Sequence, residues 1–153
     1  MRSTARVGSH PIHPMLIPFP IALWSGALIF DLVAKFGHHY TLHTAAFYMS
    51  IAGCLGALAA AVPGLIDLLK SVPAGSAARR TGWTHGLINV AALVLMAVSV
   101  MSRTRGAGEL TGGMTRLAYL TEILAVVLIT YSGWLGGALV YDHKVGIEEE
   151  GVR

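Results

Sequence analysis

Four long apolar stretches alternate with short polar segments along the chain, covering roughly 14–36, 45–69, 84–102 and 117–141. Each stretch has about 19 residues or more, and a helix rising 1.5 Å per residue then crosses a hydrocarbon core of about 30 Å. Because a backbone in lipid must satisfy its own hydrogen bonds, spans without the period-2 alternation of barrel strands are helices. The pattern therefore predicts four transmembrane helices.

The composition agrees with a membrane protein. Hydrophobic residues make up 54% of the chain and charged residues only 12%, about half of the roughly 25% usual in soluble domains. The polar connections 37–44, 71–82 and 102–116 are too short to form a further domain. We therefore expect one all-α domain over residues 1–153, an integral membrane four-helix bundle of up-down topology. No cleavable signal peptide is evident, so the first span is expected to be retained.

The distribution of Lys and Arg predicts the orientation. With a cytoplasmic N-terminus, seven basic residues lie on the cytoplasmic side, namely Arg2, Arg6, Lys70, Arg79, Arg80, Lys144 and Arg153. The opposite side holds four, namely Lys35, Arg103, Arg105 and Arg116. This asymmetry favours cytoplasmic N- and C-termini. The net charge of +3 then reflects topology and lipid headgroups, because no basic and aromatic cluster for nucleic acid is present.

Small and polar residues recur at three- and four-residue spacing in every span. The four stripes are His13, Ile17, Pro20, Trp24, Ala27 and Asp31; Gly53, Ala57, Ala60, Gly64 and Asp67; His85, Asn89, Ala92, Met96 and Ser99; and Glu122, Val126, Ile129, Gly133, Gly136, Val140 and His143. An ionisable group exposed to lipid costs about 2.5–3.5 kcal/mol, so we expect all four stripes to face inward. Gly-rich faces, including the Gly133/Gly137 GxxxG pair, also suit close helix packing or a homo-oligomer.

Up-down topology brings alternate helix ends to the same surface. One surface then holds the predicted histidine cluster, which consists of His10, His13, His85 and His143 with Asp67 beside them. The other surface receives Asp31 and Glu122. For these two carboxylates two interpretations stay open, pairing with Arg103 or Arg116 or proton exchange at a quinone or ion site.

The histidine cluster predicts a haem or metal site, since imidazole ligates transition metals and haem iron. His13 and His85 lie on diagonal spans, so they are expected to approach one b-type haem iron from opposite sides. The other predicted contacts are His10 and His143 as alternative or additional ligands, Asp67 and Asn89 as groups that orient imidazoles or meet propionates, and Gly64 and Gly136 as porphyrin walls. The predicted role is electron transfer within the membrane.

Two further hypotheses use the same residues. A carrier or chaperone for copper, zinc or iron would bind the ion directly through His10, His13, Asp67, His85 and His143. A structural subunit without cofactor would be held together by the Gly stripes, its histidines lying at headgroup level or hydrogen-bonded within the bundle. No catalytic nucleophile or acid–base pair is visible, so the sequence favours electron transfer or binding over enzymatic catalysis.

Several motifs resemble a known family. The opening His10-Pro11-Ile12-His13-Pro14 and the segments 63–67, 84–89 and 133–141 are similar to the bacterial membrane proteins catalogued as domain of unknown function 2231. The resemblance spans nearly the whole chain, and the opening is its most specific part. It implies four helices in a bacterial inner membrane. Some related proteins look fused to Rieske-type or other redox domains, which implies electron transfer with redox partner proteins or quinone.

Overall fold

The computed structural model describes residues 1–39, 41–103 and 114–147. A short hairpin of β1 (Arg6–Val7) and β2 (His10–Pro11) precedes five helices. The helices are α1 (Ile12–Leu16), α2 (Pro18–Gly37), α3 (Thr41–Lys70), α4 (Ala77–Arg103) and α5 (Arg116–Tyr141). Arg105 and Arg153, which the orientation argument includes, lie outside the described residues.

Among the described residues, four helical segments are long and apolar enough to cross a membrane, with α1 and α2 together forming the first. The prediction of an all-α membrane four-helix bundle is therefore confirmed. The helices extend beyond several of the predicted spans, because local hydrogen bonds continue them into polar sequence. Ser76 Oγ accepts a hydrogen bond from the Arg79 amide at 3.1 Å, and Thr115 Oγ1 accepts one from the Ala118 amide at 3.0 Å. Both contacts satisfy an amide that a helix start leaves unpaired.

The first span consists of two helices that meet at Ile17. Pro18 is the first residue of α2, a position that tolerates proline because the amide there has no partner in its own helix. The Ile17 amide still donates to the His13 carbonyl at 3.2 Å. The short α1 therefore carries His13 on a segment of its own at the start of the bundle.

The helices pack mainly in two pairs, α2 with α3 and α4 with α5. Between the pairs lies a buried apolar layer of Trp24, Ala92, Met96, Ala125 and Ile129. Large hydrophobic side chains elsewhere on the helices are exposed, as lipid-facing positions of a membrane bundle require. The apolar layer separates two polar regions, one near each end of the bundle.

The inward stripes of the first three spans are confirmed, since Trp24, Ala60 and Met96 are all buried. In the fourth span, the prediction that Gly133 faces inward is wrong, because Gly133 is exposed and has open space where a Cβ would stand. The inward face of α5 instead carries Glu122, Ala125, Ile129, Ser132 and Gly136. Spacings of three and four residues allow both stripes, and packing against α4 selects the one through Ser132.

Candidate functional site

His13 and His85 meet inside one end of the bundle. Their ring centroids lie 6.1 Å apart and their ring planes are nearly perpendicular, at 86°. His13 comes from α1 and His85 from the third turn of α4, so the contact joins the two halves of the bundle. We call these two side chains the imidazole pair.

A backbone carbonyl fixes each ring of the imidazole pair. His13 Nδ1 lies 2.8 Å from the Ala60 carbonyl oxygen, and His85 Nδ1 lies 2.9 Å from the Ser132 carbonyl oxygen. A carbonyl oxygen only accepts, so in both rings Nδ1 carries the proton and donates it. Both Nε2 atoms then keep a lone pair. This is the arrangement by which proteins orient histidine ligands, with the second ring nitrogen on a carbonyl or carboxylate.

Asn89 and Ser132 surround the His85 ring. The Asn89 amide nitrogen lies 3.1 Å from His85 Nε2 and also donates to the His85 carbonyl at 2.9 Å. Ser132 Oγ lies 2.9 Å from His85 Nδ1. The predicted role of Asn89 in orienting an imidazole thus has a geometric basis, although its amide lies against the very nitrogen that a metal would use.

The two glycines predicted as porphyrin walls contact the imidazoles themselves. A Cβ at Gly64 would stand 2.8 Å from His13 Nδ1, and one at Gly136 would stand 3.4 Å from His85 Cε1. Gly64 is therefore needed for the His13 ring to occupy its position against α3. The small residues make room for the two imidazole side chains, a role that the sequence did not indicate.

The remaining predicted ligands have partners elsewhere. His10 is exposed, with Nδ1 3.4 Å from Ser9 Oγ, and His143 Nε2 lies 3.4 Å from Thr81 Oγ1. Among the described residues, no three His, Cys, Asp or Glu side chains are arranged to hold a metal ion. Of the four histidines expected to lie together at this end of the bundle, His13 and His85 form a close pair.

Asp67 holds the N-terminal segment. Its carboxylate accepts hydrogen bonds from the Thr4 amide at 2.7 Å, the Ala5 amide at 2.8 Å and Ser3 Oγ at 2.7 Å. Its oxygens are therefore engaged by the segment that leads into β1. The sequence offers no periodic signal for this contact, because residues 3–5 precede the first helix.

The other polar region contains four ionisable side chains from four helices. Arg103 Nη2 lies 2.6 Å from Asp31 Oδ2 and 2.7 Å from Glu122 Oε2. His43 Nδ1 lies 2.7 Å from Asp31 Oδ1. We call these residues, Asp31, His43, Arg103 and Glu122, the carboxylate cluster. The interpretation that Asp31 and Glu122 pair with Arg103 is confirmed, whereas Arg116 is exposed.

Three contributors to these two regions were not identified from the sequence. Ser132 and Ala60 act on the imidazole pair through backbone carbonyls, which any residue type carries. The hydrophobic pattern places His43 in the polar connection 37–44, but α3 begins at Thr41 and places His43 next to Asp31. The signal in the sequence for this contact is the short separation of 12 residues between His43 and Asp31.

The separation of the two imidazole rings is compatible with one haem iron between them. Each metal–imidazole bond is about 2.0 Å long, so two rings on opposite sides of one metal have their nitrogens about 4 Å apart. Rings with centroids 6.1 Å apart are within the range that this requires. Two imidazoles would also match the two ligand positions that a porphyrin leaves on its iron.

Comparison with known families identifies a match that covers most of the chain. The family model described as predicted membrane protein (DUF2231) matches residues 9–149. No curated protein and no solved structure matches the chain.

Proposed function

The chain belongs to the DUF2231 family of predicted membrane proteins, and from that premise we propose that it is a small b-type cytochrome-like protein that transfers electrons within the membrane. His13 and His85 are the proposed axial ligands of one haem iron. The observation that carries the proposal is the imidazole pair, two rings 6.1 Å apart whose Nδ1 atoms are both directed at backbone carbonyls.

Haem is favoured over a bare metal ion by the number of protein ligands. Protein zinc sites usually take three or four side-chain ligands, whereas a haem iron receives four nitrogens from the porphyrin and needs two from the protein. His10, His143 and Asp67 contact Ser9, Thr81 and the N-terminal segment instead of the imidazole pair. The metal-carrier hypothesis would need these three side chains to leave their present partners.

The residues around the pair have defined roles in this proposal. The Ala60 and Ser132 carbonyls hold Nδ1 of each ring and direct Nε2 toward the iron. For His85 Nε2 to hold a metal, Asn89 would have to give up its 3.1 Å contact with that atom, while its bond to the His85 carbonyl could remain. When bound, haem supplies one-electron redox chemistry at a potential set by its ligands and their hydrogen bonds.

The proposed location is a bacterial inner membrane with both termini in the cytoplasm. The seven-to-four distribution of Lys and Arg supports this orientation. The imidazole pair then lies toward the cytoplasmic side, where α1 and α4 begin, and the carboxylate cluster toward the opposite side. Electron donors and acceptors are proposed to be redox proteins or quinone that reach the bundle from these two surfaces.

Haem loading tests the proposal. The protein is expressed with haem supply, purified in mild detergent and examined by optical spectroscopy and by haem content per chain. We expect one haem per chain with a sharp Soret band and resolved α and β bands on reduction. His13→Ala or His85→Ala should abolish or convert this spectrum.

His10→Ala is the matched control, because His10 lies in β2, three residues before His13, but is exposed. Its spectrum should equal that of the parent. A colourless protein with stoichiometric copper, zinc or iron would favour the metal-carrier hypothesis instead. Retention of neither haem nor metal would leave the structural-subunit hypothesis.

A further inference from the structure

The carboxylate cluster lies at the opposite end of the bundle from the imidazole pair and takes no part in the proposed haem site. Asp31, Arg103 and Glu122 have side chains with no exposed surface, and the His43 side chain is 13% exposed. His13 and Asp31 belong to the same span, 18 residues or about 27 Å apart at 1.5 Å per residue. The cluster is therefore a separate polar region that needs its own explanation.

The charges of the cluster do not balance without a proton. Two carboxylates face one guanidinium, so full ionisation with a neutral imidazole leaves one net negative charge inside a membrane bundle. An uncompensated buried charge is strongly unfavourable, typically by several kcal/mol. A proton on one of the carboxyl groups or on His43 removes it.

Two further charged or titratable groups near the cluster in the described part of the chain, Lys35 and Tyr119, do not supply this missing charge. Lys35 on α2 is exposed, and its Nζ lies 4.5 Å from the Tyr119 ring centroid. The Tyr119 hydroxyl on α5 donates to the Asp31 backbone carbonyl at 3.4 Å. Neither contact adds a cation to the carboxylates.

Two observations indicate where the proton lies. Asp31 Oδ2 and Glu122 Oε2 contact the same Arg103 nitrogen at 2.6 and 2.7 Å, so the two carboxyl groups lie close together, and carboxylates are acceptors only unless one is protonated. Within the described residues, Glu122 Oε1 is also buried without a hydrogen-bond partner. The contacts of Arg103 with Asp31 and Glu122, at 2.6 and 2.7 Å, are hydrogen-bond distances. Such close packing suits a bound proton rather than a larger cation.

We propose that the carboxylate cluster is a proton-binding site in which Asp31 and Glu122 share one exchangeable proton and His43 connects it to the aqueous phase. A proton arriving at His43 Nε2 forms the imidazolium, which releases its Nδ1 proton to Asp31 Oδ1 across the 2.7 Å contact. The imidazole is neutral again after this step, and Arg103 stays charged throughout. Release follows the same path in reverse.

Infrared difference spectroscopy of the whole protein in lipid nanodiscs tests the site. We expect a protonated-carboxyl C=O band that shifts in D₂O, is lost in Glu122→Gln and persists in Asp142→Asn, a control at the exposed end of α5. Carbon-13 labelling of glutamate or aspartate carboxyl groups should shift the band without any substitution, which keeps the test valid if Glu122→Gln fails to fold. Absence of a labelled, D₂O-sensitive band at every pH where the protein is folded would overturn the proposal.

The role of His43 has its own measurement. In His43→Gln, the band should remain but exchange with D₂O several-fold more slowly than in the parent, because the polar connection to the surface no longer carries a proton. His39→Gln is the control, since His39 lies four residues before His43 and is exposed. Equal exchange rates in the parent and in His43→Gln would overturn the assigned path.

Discussion

Arg103 Nη2 lies 2.6 Å from Asp31 Oδ2 inside the bundle, although the two residues are 72 positions apart in the chain. Both side chains are inaccessible to solvent. The pair joins the end of α4 to α2, and the same nitrogen bonds Glu122 on α5. One guanidinium thereby connects three of the four spans at the end of the bundle opposite the imidazole pair.

Removing this guanidinium should strongly destabilise the protein. Arg103→Met leaves Asp31 and Glu122 buried without their cation, and breaking one partner of a buried ion pair typically costs about 3–5 kcal/mol. Thermal unfolding in detergent measures the effect. Arg116→Met, at an exposed position, should unfold within a few degrees of the parent. Similar unfolding temperatures for both variants would show that the cluster contributes little to the bundle.

Two glycine substitutions should differ sharply. Gly64→Ala places a Cβ 2.8 Å from His13 Nδ1 and displaces the ring from the Ala60 carbonyl, whereas Gly133→Ala meets nothing within 4 Å. We expect Gly64→Ala to cost about 1–3 kcal/mol through overpacking and to lower haem content. Gly133→Ala should be neutral or slightly stabilising, because alanine is the better helix former. Unfolding temperature and haem content are measured together, and equal behaviour of the two variants would contradict the packing around His13.

The bundle could be predicted because a membrane imposes a strict pattern of apolar and polar positions on the sequence. Long apolar spans, inward stripes and the meeting of His13 with His85 all follow from helix period and up-down topology. The inward face of α5 did not follow, since Gly133 and Ser132 differ by one position and only packing against α4 decides between them. The contacts of Asp67 with residues 3–5 also could not be predicted from the sequence, because they depend on how a segment without hydrophobic periodicity folds back onto α3.

Loss of the Asp67 carboxylate should release the N-terminal segment. In Asp67→Ala, the Thr4 and Ala5 amides lose a charged acceptor, and each such hydrogen bond contributes about 1.5–3 kcal/mol. Hydrogen exchange followed by mass spectrometry should show faster exchange for the peptide containing residues 3–5. Asp142→Ala is the control, because this carboxylate is exposed at the end of α5. Unchanged exchange in Asp67→Ala would mean that other contacts hold the segment.

Substitution of Asn89 tests whether its amide competes with the proposed haem iron for His85 Nε2. The Asn89 amide lies 3.1 Å from His85 Nε2, the atom proposed to bind iron. Asn89→Ala removes that hydrogen bond and leaves the Ser132 carbonyl on Nδ1, so haem should bind at least as tightly as in the parent. Titration of apoprotein with haem measures the affinity. Loss of binding in Asn89→Ala would show that the amide is required at the site and that its proposed displacement is wrong.

The most direct test of a shared iron uses the angle between the two rings. Low-spin ferric haem with perpendicular imidazole planes gives a strongly anisotropic electron paramagnetic resonance signal dominated by one large g value. The 86° between the His13 and His85 rings predicts this signal for the oxidised protein. His13→Ala and His85→Ala should each abolish it, and His10→Ala should leave it unchanged. A haem-free protein, or a low-spin signal that survives either substitution in the imidazole pair, would contradict ligation of one iron by both histidines.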